Sequence, residues 1–169
     1  MTLAVVALGS NLGDRIQYLQ FGVDHLQALS EIKLLKVSSI YETAAVGGPV
    51  DQPDYLNAVA LIETVLSPEQ LLAKLHEIED VAHRVREVHH GPRTLDLDLI
   101  DYHGFTSDEP SLMVPHPRAC ERAFVLVPLH EISPDWQLGN NSNLSALLES
   151  VENQEIKQST EFSLSVGAT

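Results

Sequence analysis

A chain of 169 residues is long enough for one domain with a real core and too short for two of ordinary size. Its formal net charge of -14 argues against nonspecific binding to nucleic acid or to an anionic membrane surface. The single cysteine, Cys120, excludes an internal disulfide framework and a cysteine-rich metal site, and suits a reducing cytoplasm.

The opening MTLAVVALGSNLG has no basic region before its short apolar run, so it reads as neither a signal peptide nor a membrane span. Residues 3–8 are instead expected to form a buried strand ending at Gly9-Ser10-Asn11. Asp14 then caps a helix that carries Ile16, Leu19, Val23, Leu26 and Leu29 on one stripe. A second strand covers 32–41, with an alternation break at Leu34-Leu35 that marks a bulge. The stretch TAAVGGPVDQPD, residues 43–54, has two glycines and two prolines and must be a loop.

Tyr55 to Val65 is apolar on both faces, which predicts a central strand. Ser67, Pro68 and Gln70 fit the N-cap, first-turn proline and third-position amide of a helix running to about Arg86 and burying Leu71, Leu75, Ile78, Ala82 and Val85. A short loop through Gly91-Pro92 leads to a strand over 94–102 and a polar loop. After Pro115-His116-Pro117, helices are expected at 119–131 and 144–152. The order strand, helix, strand, strand, helix, strand predicts an α+β sandwich, a ferredoxin-like βαββαβ unit with helices on one face of a mainly antiparallel sheet. We expect one domain over 1–152 and a polar tail over 153–169.

The stretch GPRTLDLDLID places Asp96, Asp98 and Asp101 among Leu95, Leu97, Leu99 and Ile100. In a strand, the leucines take one face while Asp96 and Asp98 share the other. Same-face Cα atoms lie about 6.5 Å apart, so the two carboxylates repel by roughly 2–3 kcal/mol at an effective dielectric near 20. Either a cation sits between them, or the charges simply guard an exposed edge. Five of the six arginines, Arg84, Arg86, Arg93, Arg118 and Arg122, fall around this segment. Their planar forks favour an anionic ligand such as phosphate. There is neither a Walker loop nor a GxGxxG, so a nucleotide would have to be held by other means. Hard carboxylate oxygens shared with phosphate are the preference of magnesium. Glu79 with His83, His89 and His90 could compose a transition-metal site, but exposed or helix-end histidines are the commoner reading.

The blocks ALGSNLGD, VSSIYET, DQPDYLNAV, GPRTLDLDLI and VPHPRACERAFVLVPL, in this order over about residues 1–140, resemble the 6-hydroxymethyl-7,8-dihydropterin pyrophosphokinases of folate biosynthesis. The resemblance implies transfer of pyrophosphate from ATP to the pterin hydroxymethyl group, with two Mg2+ ions and release of AMP. It implies that Asp96 and Asp98 are the metal ligands, and that these two act in catalysis with Arg84, Arg93 and His116. Glu79, Arg84, Arg86, Arg93, Leu99, His116 and Arg122 would contact ATP. Thr43, Val46, Tyr55, Asn57, His90 and Phe124 would form the pterin pocket, where aromatic faces can sandwich the bicyclic ring and Asn57 can both donate and accept. Arg118 is left as a surface charge. A two-metal phosphohydrolase would not need Tyr55, Asn57 and Phe124. A monomeric cytoplasmic enzyme is expected, binding pterin and ATP but neither nucleic acid nor membrane, its product passing to dihydropteroate synthase.

Overall fold

The computed structural model describes residues 1–45, 51–83, 94–139 and 142–168. Along the chain these form β1 (Thr2–Ser10), α1 (Arg15–Ala28), β2 (Ile32–Val37), β3 (Tyr41–Thr43), β4 (Tyr55–Thr64), α2 (Pro68–Ala82) and β5 (Asp96–Tyr102). There follow a hairpin of β6 (Ser107–Glu109) and β7 (Leu112–Val114), then α3 (Ala123–Ile132), β8 (Gln137–Leu138), β9 (Ser142–Asn143), α4 (Leu144–Ser150) and β10 (Lys157–Gln158).

The helix starts follow their caps. The Asp14 carboxylate accepts from Gln17 N at 3.1 Å. Ser67 and Gln70 exchange reciprocal bonds of 3.2 and 2.9 Å, satisfying two amides at the start of α2. Gly22 lets α1 sit low on the sheet, since a Cβ there would come 3.1 Å from Leu8 Cδ2 and 3.4 Å from Leu95.

In the main sheet β1 lies between β4 and β5, antiparallel to both. The other edge of β4 pairs with β2 and then β3, with β10 outermost on β3. Taking β2 and β3 as one interrupted strand, this is the ferredoxin-like order. The bulge expected at Leu34-Leu35 is present: Leu34 pairs with Ile62 and Lys36 with Leu61, leaving Leu35 over. The strand expected over 32–41 breaks after Val37, where Ser38 bonds Val59 through both its backbone and its hydroxyl.

The helices do not all lie on one face, which corrects the sequence expectation. Ala4, Val6, Leu8, Leu95 and Leu97 pack under α1 and α2, whereas Val5, Val59, Leu61 and Ile100 pack against α3 and α4. A strand apolar on both faces gains roughly 1.5–3 kcal/mol for each large side chain a second layer covers, so the terminal helices are drawn to the opposite face. The expected helix at 119–131 is also divided. A 3-10 turn over Ala119–Glu121 is followed by Arg122 in extended conformation, and α3 begins at Ala123. The loop after β5 forms the β6–β7 hairpin because Leu112 and Val114 turn into the core.

The tail is tied to the domain. The amides of Gln20 and Gln27, two turns apart on α1, each exchange a pair of bonds with the backbone of Ser165 and Gly167 at 2.8–3.0 Å. Leu164 packs on the core beneath.

Candidate active site

Asp96 and Asp98 stand opposite Gly9 and Ala7 of β1. These two small residues keep the sheet surface low beside the carboxylates. From Gly9, the position of a Cβ would lie 3.6 Å from Asn57 Oδ1, 3.7 Å from Tyr55 Cδ1 and 4.0 Å from Asp96 Cβ. Three residues far apart in sequence therefore surround one point at the ends of β1, β4 and β5. Above it opens a cavity of about 750 Å³, lined by Asp96, Asp98, Thr43, Tyr55, Asn57 and Phe124 among others.

Asn57 is buried, and its Nδ2 donates to Thr43 Oγ1 at 2.9 Å and to Tyr41 O at 3.4 Å. Arg118 and Arg122 line the same cavity, and the Arg122 guanidinium lies 5.3 Å from the Phe124 ring centroid. Burial and the Arg118 charge depress the Arg122 pKa, while Asp98 and Glu121 oppose them. Arginine remains protonated regardless, so the site keeps its cation.

His116 follows the cis Val114–Pro115 bond, and its backbone amide donates to Ile100 O at 2.7 Å. Its Nδ1 accepts from Arg118 N at 3.3 Å, which leaves the proton of the neutral ring on Nε2. Burial pushes the imidazole pKa down; the Asp98 charge raises it, and those of Arg122 and Arg118 lower it.

One strand thus carries two kinds of aspartate. Between Val5 and Val6 the β1–β5 register shifts, so Asp101 pairs with Val5 and Leu99 with Val6, leaving Ile100 over. Asp101 is buried and accepts from Trp136 Nε1 at 3.0 Å, Gly139 N at 3.4 Å and Tyr102 N at 2.9 Å. It is a structural acceptor, turned away from the cavity that Asp96 and Asp98 line.

The Leu99 side chain packs in the core beneath α1 and α2, and Leu99 is not among the residues that line this cavity. Arg84, Arg86, His90, Arg93 and Val46 lie outside the described residues, as do His89 and the end of the helix expected to reach Arg86. Glu79, His83 and Asp96 bring one ligand atom each within 4.8 Å of one another. Both ring nitrogens of His83 are engaged, by Leu95 O and Thr94 Oγ1, so that imidazole fastens the C-terminal cap of α2 to the segment leading into β5. Sequence reasoning missed Arg118, Gln154 and Glu155 as cavity-lining residues. The PHPR spacing could have flagged Arg118; nothing local could have flagged the other two.

Paired carboxylates, two guanidinium groups and two aromatic side chains thus line one cavity on a ferredoxin-like sheet. Residues 5–134 match the model of the 7,8-dihydro-6-hydroxymethylpterin-pyrophosphokinase (HPPK) family, and the chain belongs to that family. It is 47% identical over 130 residues to the 2-amino-4-hydroxy-6-hydroxymethyldihydropteridine pyrophosphokinase of Bacillus subtilis, covering 77% of each chain. To the enzyme of the same name from Methylorubrum extorquens it is 42% identical over 147 residues, 87% of this chain and 92% of the other. Among solved structures, the HPPK-DHPS protein of Plasmodium falciparum superposes with a TM-score of 0.69 at 15% identity. That match covers 88% of this chain and 45% of the other, so this chain spans about half the length of that protein. The protein is an ATP- and magnesium-dependent pyrophosphokinase that acts on hydroxymethyldihydropterin in folate biosynthesis.

Proposed function

We propose that Asp96 and Asp98 hold two magnesium ions against the triphosphate of ATP while the pterin lies between Tyr55 and Phe124. The observation that carries this reading is the shared cavity: the carboxylates line one part of it, and Thr43, Tyr55, Asn57 and Phe124 line another. The donor set fits the metal. Two hard carboxylates on one strand face, with Asp98 exposed, can bind magnesium while leaving positions for water and phosphate oxygens. When bound, the ions supply charge neutralisation at the phosphates.

The chain's own groups do the rest. Asn57 reads the amide-like edge of the pterin, and its Thr43 bond prevents the carboxamide from turning. Arg122 and Arg118, together with Arg84 and Arg93, draw charge from the phosphates, and the His116 Nε2 proton is available to the leaving side. Arg86 and Glu79 serve the nucleotide; Val46 and His90 serve the pterin. The pterin hydroxymethyl oxygen gives up its proton to solvent and bonds to the β-phosphorus, the bond from that phosphorus to the α–β bridging oxygen breaks, and AMP departs with that oxygen. The enzyme works in the cytoplasm as a monomer, and its pyrophosphorylated product passes to dihydropteroate synthase.

Product identification tests this reading. Incubation with ATP, magnesium and the reduced pterin should yield AMP and pterin pyrophosphate in equal amounts, with little ATP consumed when pterin is absent. ADP as the main product would overturn the β-phosphorus assignment, and pterin-independent ATP breakdown would indicate a hydrolase.

A further inference from the structure

Arg122 and Phe124 project from the junction between the 3-10 turn and α3, and that junction lacks a cap of its own. Arg122 is extended (φ -119°, ψ 113°), and its side chain makes no capping bond. The cap is supplied by a residue 31 positions away. Gln154 Oε1 accepts from Ala123 N at 2.9 Å, and Gln154 Nε2 donates to Glu121 O at 2.7 Å. A single carboxamide thus joins the residue before Arg122 to the residue after it. Its orientation is unambiguous, because the backbone presents one donor and one acceptor. Ala123 is only 2% exposed, so water is a poor substitute partner for its amide.

Gln154 is itself held from two directions. Its amide donates to Val151 O at 2.9 Å, at the end of α4. A few residues later, Lys157 and Gln158 pair with Glu42 and Tyr41 of β3. The next residue of β3 is Thr43, which accepts from Asn57 inside the cavity. Gln154 and Glu155 also line that cavity. Residues 154–158 therefore run from the Arg122–Phe124 wall to the Thr43–Asn57 wall.

Building on the site reading above, we propose that Gln154 is a positioning residue for both substrates. Its carboxamide sets the backbone on either side of Arg122, placing the guanidinium at the nucleotide phosphates and the Phe124 ring at the pterin. Without it, the junction can swing and Arg122 and Phe124 lose their common alignment. The effect falls mainly on binding, because Arg122 meets the ATP phosphates and Phe124 the pterin ring before the reaction as well as during it.

Steady-state kinetics on five variants test this. Gln154→Ala should raise KM for ATP and for pterin about five- to tenfold, with kcat within about twofold of the parent. Gln158→Ala changes the same segment, but its side chain bonds Ser39 Oγ at 3.0 Å, away from the junction. It should leave both KM values unchanged. In an Arg122→Ala background, Gln154→Ala should add less than about twofold to KM for ATP, since both changes remove the same interaction. Should Gln154→Ala not fold, Gln154→Glu carries the test. It keeps the acceptor for Ala123 but turns a carboxylate oxygen on Glu121 O, and should raise both KM values.

An unchanged KM in Gln154→Ala alongside a raised KM in Arg122→Ala would overturn the clamp and leave the site reading standing. An unchanged KM in Arg122→Ala would overturn the site reading and the proposal with it. Equal increases in the Gln154 and Gln158 variants would reduce the effect to general fastening of the segment and overturn the specific role.

Discussion

Asn57 Nδ2 donates to Thr43 Oγ1 at 2.9 Å, and this bond determines which end of the carboxamide faces the cavity. The second contact of Nδ2, at 3.4 Å, is with the backbone carbonyl of Tyr41, a group that only accepts. The amide therefore cannot flip without placing oxygen against oxygen, and Oδ1 remains on the Gly9 side.

Asn57→Asp should accordingly be more harmful than its size suggests. The carboxylate would meet the Tyr41 carbonyl and would lose the donor that reaches Thr43. We expect pterin kcat/KM to fall about 30- to 100-fold, the equivalent of about 2–3 kcal/mol, with a smaller effect on KM for ATP. Steady-state assays varying each substrate in turn check this; equal losses for both substrates would contradict a pterin-specific role.

Replacing either cavity carboxylate should separate activity from stability. Asp96→Ala or Asp98→Ala removes a metal ligand but also relieves repulsion across about 6.5 Å. AMP formation should drop by at least about 100-fold while the thermal midpoint stays level or rises. Near-normal turnover at modest magnesium would refute the ligand assignment.

Asp101→Ala should behave in the opposite manner. It leaves the Trp136 indole and the Gly139 amide without their acceptor. We expect a loss of about 2–4 kcal/mol in folding stability, read from urea midpoints by circular dichroism, with turnover per folded molecule largely kept. A stable but inactive variant would show that Asp101 belongs to the chemistry after all.

The pH dependence of the metal-free enzyme follows from His116. Burial depresses its pKa below the ordinary value of 6.5, so the folded state holds the neutral ring more firmly than the unfolded chain does. As the pH falls below 6.5, the unfolded chain takes up this proton first, so folding stability declines until the pH has passed the folded pKa. Ring titration by NMR should place His116 below 6.5. Asp98→Asn should move it lower still, and Arg122→Ala should move it up. Shifts in the reverse sense would contradict the charge arrangement.

Much of this molecule was legible from local pattern, because strand alternation, helix caps and bulges act over a few residues. The Ser67–Gln70 cap, the Leu35 bulge, the shared face of Asp96 and Asp98 and the central position of Tyr55–Thr64 all rest on such short-range signals. The apolar residues on both faces of β4 indicated a central strand, but the second helical layer they call for was not expected and only the structure shows it. What local pattern could not supply was pairing across long sequence separations. Ile100, bulged between the Asp98 and Asp101 pairings with β1, turns one aspartate inward to Trp136 while two others remain at the cavity. The burial of Leu99, the place of Arg118 on the cavity wall and the bridge from Gln154 across Arg122 are of the same kind. Each depends on which backbone groups the finished sheet and its two helical layers leave in need of a partner, and that is decided only when distant segments meet.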